Sequence, residues 1–217
     1  MKFEKLKFAT LNSDEMLERS SHYLENLKSR RSVREFSSES IPLKVIKNIV
    51  SSASSAPSGA NKQPWKFCIV KDLKLKKKIR VAAEFEEKEN YEHRFPEEWL
   101  IDLNQFGTDW HKDFLEEAPY LIVLFKQVYD LKGGKQTKNY YVNESVGIAA
   151  GFLLTAIHNA GLIALTHTPS PMGFLEKILK RPKNERAFLL IPVGYPKAGT
   201  EVPVLTKKTF NEFAKIY

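Results

Sequence analysis

Arg30-Arg31-Ser32-Val33-Arg34 and, further along, Ala56-Pro57-Ser58-Gly59-Ala60-Asn61-Lys62-Gln63-Pro64-Trp65 are the segments around which the rest of the chain can be arranged. Three guanidiniums beside a hydroxyl, between one predicted helix and the next, make a cluster of fork-shaped donors suited to a phosphate. An arginine pair alone reads as solvated surface charge, and the second segment shifts that balance. It breaks a helix at Pro57 and presents a Ser58-Gly59 turn whose amides can come close to a ligand because Gly59 has no Cβ. It then runs through Pro64-Trp65 into an apolar stretch, Phe67-Cys68-Ile69-Val70, that reads as a strand.

Outward from these segments, helices and strands interleave. Ser13-Asp14-Glu15 predicts a helix start with an N-cap and early acids, carried on by Met16, Leu17, Tyr23, Leu24 and Leu27. A second helix is expected from Pro42 through Val45, Ile46, Ile49 and Val50. Strands are expected at 66–71, 120–128, 162–166 and 187–193, and a long helix over 140–160 with the small-residue run Gly147-Ile148-Ala149-Ala150-Gly151. This alternation predicts an α+β fold, an α/β sandwich with one sheet of mixed direction covered by helices. All 217 residues are expected to form a single domain. Between Asp72 and Pro119 the pattern predicts a helical hairpin. Its first half is charged; its second half sets Trp99, Leu103, Phe106, Trp110 and Phe114 at steps of three and four, as one apolar stripe. A helical lid insertion at about 73–116 is the expectation.

Composition narrows the classes. With 42% hydrophobic and 28% charged residues the chain is suited to a packed core, not to disorder. The formal charge of +8 favours anionic ligands. Together with the run Lys74 to Lys78 it also motivates a nucleic-acid-binding module, which predicts a colourless protein with salt-dependent oligonucleotide affinity. The single cysteine, Cys68, lies in an apolar run and is expected to be a buried structural thiol; it excludes an internal disulfide. No signal peptide or membrane span is expected, and a cytoplasmic location follows. The five histidines lack ligand spacing, so no metal site is expected. No P-loop or dinucleotide G-x-G-x-x-G is found.

The order Arg-Arg-Ser-Val-Arg, helix, Ala-Pro-Ser-Gly-Ala, then Pro-Trp into a strand resembles the flavin-binding start of the nitroreductase superfamily, and within it the iodotyrosine deiodinases. The likeness runs from about Lys28 to the C-terminal tail. It implies a nitroreductase-like FMN fold and an intertwined homodimer with two flavin sites built from both subunits, the 140–160 helix forming part of the seam. It implies that Arg30, Arg31, Ser32, Arg34 and Lys207 hold the FMN phosphate, Lys207 without the bidentate fork of the arginine often found there. It places Pro57, Ser58 and Gly59 at the cofactor, and the backbone of Ser58, Gly59 and Ala60 toward the substrate phenolate. The turn Thr166-His167-Thr168 is implied to contact the flavin ring, with Thr166 donating toward N5 and so favouring one-electron chemistry; His167 departs from the threonine of animal sequences. The resemblance implies a membrane anchor ahead of this domain in animal members; with no apolar N-terminal region in this sequence, an anchor-less version is expected.

The same resemblance singles out three residues of the hairpin. Glu87 and Tyr91 stand four apart on one helical face, and Lys112 can return alongside from the second helix. The trio is complementary to an amino-acid zwitterion: Glu87 accepts from the α-ammonium, Lys112 pairs with the α-carboxylate, and Tyr91 adds a hydroxyl. The implied activity is FMN-dependent reductive dehalogenation of halotyrosines. The alternative is a general FMN nitroreductase using NAD(P)H on nitroaromatics or quinones, which has no need of the trio. Without a dinucleotide motif, NAD(P)H would dock transiently or a reductase partner would supply the electrons.

Overall fold

The computed structural model describes residues 2–217, apart from the side chain of Lys132. Two units can be distinguished by compactness, one ending at Arg31 and one running from Ser32 to Tyr217. Among its described residues the first contains one helix, α1 (Ser13–Ser29), in which no residue is buried. Its cap is Asn12, one residue before the expected start: the Asn12 side chain accepts from Glu15 N at 2.9 Å while the Glu15 carboxylate accepts from Asn12 N at 3.0 Å. This reciprocal box satisfies two otherwise orphaned amides, an advantage Ser13 lacks without an acid three residues on.

In the second unit a four-stranded sheet has the order β1-β2-β6-β5, from β1 (Trp65–Val70), β2 (Tyr120–Gln127), β5 (Ile163–Ala164) and β6 (Glu185–Gly194). Every neighbouring pair of these strands is antiparallel. The mixed direction expected from the long connections is confined, among the described residues, to one parallel bridge between Ser32 and Ala164. A long excursion does not itself dictate direction. β1 and β2 are joined through α3 (Leu73–Glu89), α4 (Glu97–Asn104) and α5 (Phe114–Glu117) and still run antiparallel.

The core explains why β2 reads as an unbroken apolar run. Leu121, Val123 and Phe125 face a cluster with Ile79 and Ala83 of α3, Leu115 of α5 and Leu175 of α7 (Gly173–Ile178). Alternate residues Tyr120 and Ile122 face Ile46 and Ile49 of α2 (Leu43–Ser54) and Leu153 and Ile157 of α6 (Val142–Asn159). Helices cover both faces, so both sides of the pleat must be apolar. Cys68 is half-buried, more open than expected, and packs against the first cluster; burial pushes its thiol pKa up, which keeps it unreactive. Among the described residues, no helix is long and apolar enough to cross a membrane.

Two features depart from the sequence pattern. The hairpin β3 (Tyr129–Lys132) and β4 (Lys135–Lys138) was not expected: its short strands are polar, and only Gly133 and Gly134, both at positive φ, mark the turn. The second departure concerns the apolar stripe over 99–114. α4 ends at Asn104, and Gly107 takes φ 55° in the turns that follow, so Phe106 and Trp110 lie outside any helix. Trp99 is 51% exposed, whereas Phe114 is 6% exposed. The three-four spacing therefore does not mark one face; the glycine just beyond the helix end is the stop signal that overrides it.

Lys76 shows how α3 is tied down. It is 2% exposed, and its ammonium donates to the carbonyls of Glu116 and Ala118, each at 2.7 Å, capping the end of α5. Lys76→Ala strands one buried and one partly buried acceptor and is expected to cost about 1–3 kcal/mol in a urea melt. Unchanged stability would show that water replaces the ammonium.

Candidate substrate and cofactor site

The buried face of α3 runs Lys76, Ile79, Ala83, Glu87 and ends beyond the helix at Asn90. Four positions of that stripe follow core spacing, so Glu87 places a carboxylate where an apolar side chain would be expected. Lys112 meets it: Nζ lies 3.2 Å from Glu87 Oε2, with the two side chains only 4% and 9% exposed. Lys112 also donates to the Asp109 carbonyl, and its backbone N–H donates to Glu84 Oε1 at 2.8 Å. Lys112 arrives on the turn ahead of α5, not on a second long helix as expected. Tyr91 follows one turn after Glu87 in a π-helical segment, Asn90–Arg94. Its hydroxyl donates to the Thr108 carbonyl at 3.2 Å, and its ring centroid is 5.5 Å from Lys112 Nζ. Carboxylate, phenol and ammonium thus converge.

Burial dominates their protonation equilibria. It pushes the Glu87 pKa up against the opposing pull of Lys112, and pulls the Lys112 pKa down against the opposing effect of Glu87. The Tyr91 phenol is likewise raised, first by burial. Each ion makes the other tolerable, and neither is fully repaid for leaving water.

These three residues line a cavity of about 140 Å³ that also reaches Arg34, Phe95, Trp99 and the turn Thr166-His167-Thr168. Tyr91, Phe95 and Trp99 form an aromatic run at successive four-residue steps; Phe95 and Trp99 stack at 4.5 Å. The guanidinium of Arg34 lies 5.7 Å from the Phe106 ring, and burial pulls its pKa down. At residues 166–168 the chain pairs with β6 through mutual backbone bonds of His167 and Leu190, so side chains alternate. Thr166 and Thr168 are exposed and His167 is buried on the other side. Burial, then the nearby Lys112 and Arg34 cations, pulls the His167 pKa down to about 3, so its imidazole is neutral. Among the described residues, His167 Nε2 has no hydrogen-bond partner.

Pro57, Ser58, Gly59, Ala60 and Lys207, also expected at the site, do not line this cavity. Pro57 and Ala60 are exposed, and Ser58 and Gly59 lie partly buried beside the start of α6. Much of this segment's hydrogen bonding is already internal: Gly59 N donates to Ser145 Oγ, Gln63 N to Ser58 Oγ, Asn61 N to Ser58 O and Lys62 N to Gly59 O. A Cβ on Gly59 would stand 2.9 Å from the Tyr141 ring and 3.0 Å from the Tyr140 carbonyl, so the chain's own packing already requires glycine there. Lys207 lies exposed in the tail. Arg30 caps α1 by donating its N–H to the Leu27 carbonyl, and Arg31 closes the first unit. Ser32 begins the second unit at the bridge to Ala164. Sequence reasoning missed Phe95 and Thr108 in the cavity. The four-residue spacing from Tyr91 to Phe95 could have pointed to the first; nothing local points to a backbone carbonyl. Among the described residues, no cluster of His, Cys, Asp or Glu could hold a metal ion.

This site sits on the fold of flavin-type reductases, and the chain belongs to the nitroreductase family, whose model matches residues 27–195. Among its relatives is the iodotyrosine deiodinase of Haliscomenobacter hydrossis, 63% identical over 92% of this chain and 90% of that protein. Human iodotyrosine deiodinase 1 is 44% identical over 91% of this chain and 69% of that protein. A crystal structure of oxidized iodotyrosine deiodinase bound to FMN and 3-iodo-L-tyrosine superposes with a TM-score of 0.76 at 34% identity, covering 89% of this chain and all of that one.

Proposed function

We propose that this protein carries out FMN-dependent reductive dehalogenation of halotyrosines, releasing tyrosine and halide. The observation that carries the proposal is the buried pair of Glu87 and Lys112 with Tyr91 beside it in one cavity. A generic reductase of nitroarenes gains nothing from an internal ion pair there, and perturbed buried ions gathered in a cavity mark functional sites. In the free protein the two charges compensate each other. An amino-acid zwitterion brings one charge of each sign, so Glu87 can take the α-ammonium and Lys112 the α-carboxylate without leaving a net buried charge. Tyr91 contributes the lone pairs of its hydroxyl, whose proton is already donated to Thr108. The relatives' activity and the bound iodotyrosine of the similar structure support the same assignment.

The residues present fit FMN. Arg34 holds a partly desolvated cation in the cavity wall, and the exposed residues Thr166 and Thr168 line the same cavity. Ser32 and Arg34 are proposed to hold the anionic parts of the cofactor, with Arg30, Arg31 and Lys207 assigned on the sequence motif alone. Thr166 is proposed to donate to N5 of the ring. When bound, FMN supplies the reducing electrons. The chain's own part is to clamp the amino-acid end, exclude water with the segment 91–111, and thereby fix the halogenated carbon, so that binding energy at one end orients the other.

A single chain does not complete the site. The cavity is smaller than the roughly 300–1,000 Å³ of ordinary ligand pockets, and Ser58, Gly59 and Ala60 lie outside it. A homodimer answers both points, and α6 exposes Gly147, Ile148, Gly151 and Phe152 as a close-packing face for a second copy. The second copy would supply Pro57, Ser58, Gly59 and Ala60. A cytoplasmic setting fits the one free thiol. The electron donor is proposed to be a reductase or transiently docked NAD(P)H.

The test is a titration of FMN-loaded protein with 3-iodotyrosine and with 2-iodophenol, following flavin fluorescence. Strong quenching by the amino acid alone is expected. Equal quenching by both ligands would remove the zwitterion clamp from the account.

A further inference from the structure

The segment between Tyr91 and His111 is held at both ends by buried groups and by little in between. α4 within it has no buried residue. At its exit, Lys112 is 3% exposed and bound to Glu84 and Glu87. At its entrance, Asn90 is 4% exposed and plays the matching part. Its Nδ2 donates to the Ser170 carbonyl at 2.7 Å, across to the loop that continues from Thr166-His167-Thr168. Its Oδ1 accepts from Arg94 at 3.3 Å, and Arg94 donates in turn to Glu86 at 2.7 Å. The Asn90 carbonyl accepts from Phe95 N at 2.8 Å, closing the π-helical turn that carries Tyr91. Such turns are costly local geometries and need tertiary support.

Resting on the halotyrosine reading above, we propose that Asn90 is a positioning residue for substrate capture: its bond to the Ser170 carbonyl pins the end of α3, with Glu87 and Tyr91, to the loop beyond the flavin-contact turn. The bond couples the two halves of the site. Glu87 precedes it by three residues and Tyr91 follows it directly, so freedom at Asn90 becomes misalignment of both. The α-ammonium contact and the hydroxyl contact then require ordering at the moment of binding, which weakens capture without altering the chemistry at the ring.

Asn90→Asp and Asn90→Ala in the FMN-loaded enzyme test this. Asp keeps the acceptor toward Arg94 but sets a carboxylate against the Ser170 carbonyl. Both variants are expected to raise KM for 3-iodotyrosine about tenfold, with kcat at saturation and nitroarene reduction unchanged. Arg94→Ala, which spares the Ser170 bond, is expected to leave KM within about twofold of wild type, the ordinary range for a half-exposed ion pair. Equal losses on both substrates, accompanied by a lower melting temperature, would reduce Asn90 to a structural role and overturn the inference. So would an Arg94→Ala effect as large as that of Asn90→Ala. Wild-type protein that fails to bind 3-iodotyrosine would remove the functional reading and this inference together, whereas normal wild-type binding with unaltered Asn90 variants would remove this inference alone.

Discussion

Glu87→Gln is expected to lower kcat/KM for halotyrosines by about 30-fold to several thousandfold while leaving nitroarene reduction intact. The range follows from removing one partner of a buried charge pair at a binding site, about 2–5 kcal/mol. Glutamine preserves volume and one acceptor, so packing on the buried face of α3 is kept. What is lost is the charge that receives the α-ammonium and offsets Lys112. Without it, Lys112 faces a pKa already pulled down by burial, with its principal counter-charge gone. Steady-state kinetics on 3-iodotyrosine and on a nitroarene separate the outcomes. Parallel losses would point to damaged cofactor binding, and unchanged halotyrosine kinetics would leave a general nitroreductase as the better account.

Replacing both ions by methionine, Glu87→Met with Lys112→Met, is expected to abolish halotyrosine binding and yet to leave the fold as stable as wild type or more so, by as much as about 4 kcal/mol. A carboxyl whose folded pKa is raised contributes stability that is lost as pH rises through that value. A lysine whose folded pKa is depressed contributes stability that is lost as pH falls through its own. Where both groups are charged, each is carried at a net cost that their mutual attraction only partly offsets. The double variant removes that cost, whereas either single methionine variant leaves one buried ion alone and is expected to lose about 3–5 kcal/mol. Urea melts at neutral pH compare the three. A double variant less stable than both singles would show that the pair exists to hold the fold.

How legible the protein was in its sequence depends on the residue. β2 and α2 were readable because an uninterrupted apolar run and a clean three-four spacing carry their own structural period. The stripe from Trp99 to Phe114 does not mark one helical face because its three-four spacing runs across Gly107, where the chain has already left its helix. Lys112 could be paired with Glu87 only through family resemblance. Physics alone gives a lysine on a polar turn no reason to seek a glutamate so far back in the chain. Arg34 was readable as a member of a phosphate-type cluster, but its place in the wall beside Tyr91 was not.

The amino-acid order by itself determined most of the long helices and core strands, where the cationic cluster and the Thr-rich turn lie, and that one sheet would be covered by helices, but not the polar hairpin β3–β4 or the break after α4. These follow from local backbone preference and from hydrophobic period, which act over neighbouring residues. Only the tertiary structure decided that every pair of adjacent strands runs antiparallel, that Glu87 and Lys112 share one buried contact, and that Asn90 reaches the carbonyl of Ser170. The worth of a charge or an amide depends on what surrounds it once water has been excluded, and that surrounding is assembled from parts of the chain that no local pattern connects.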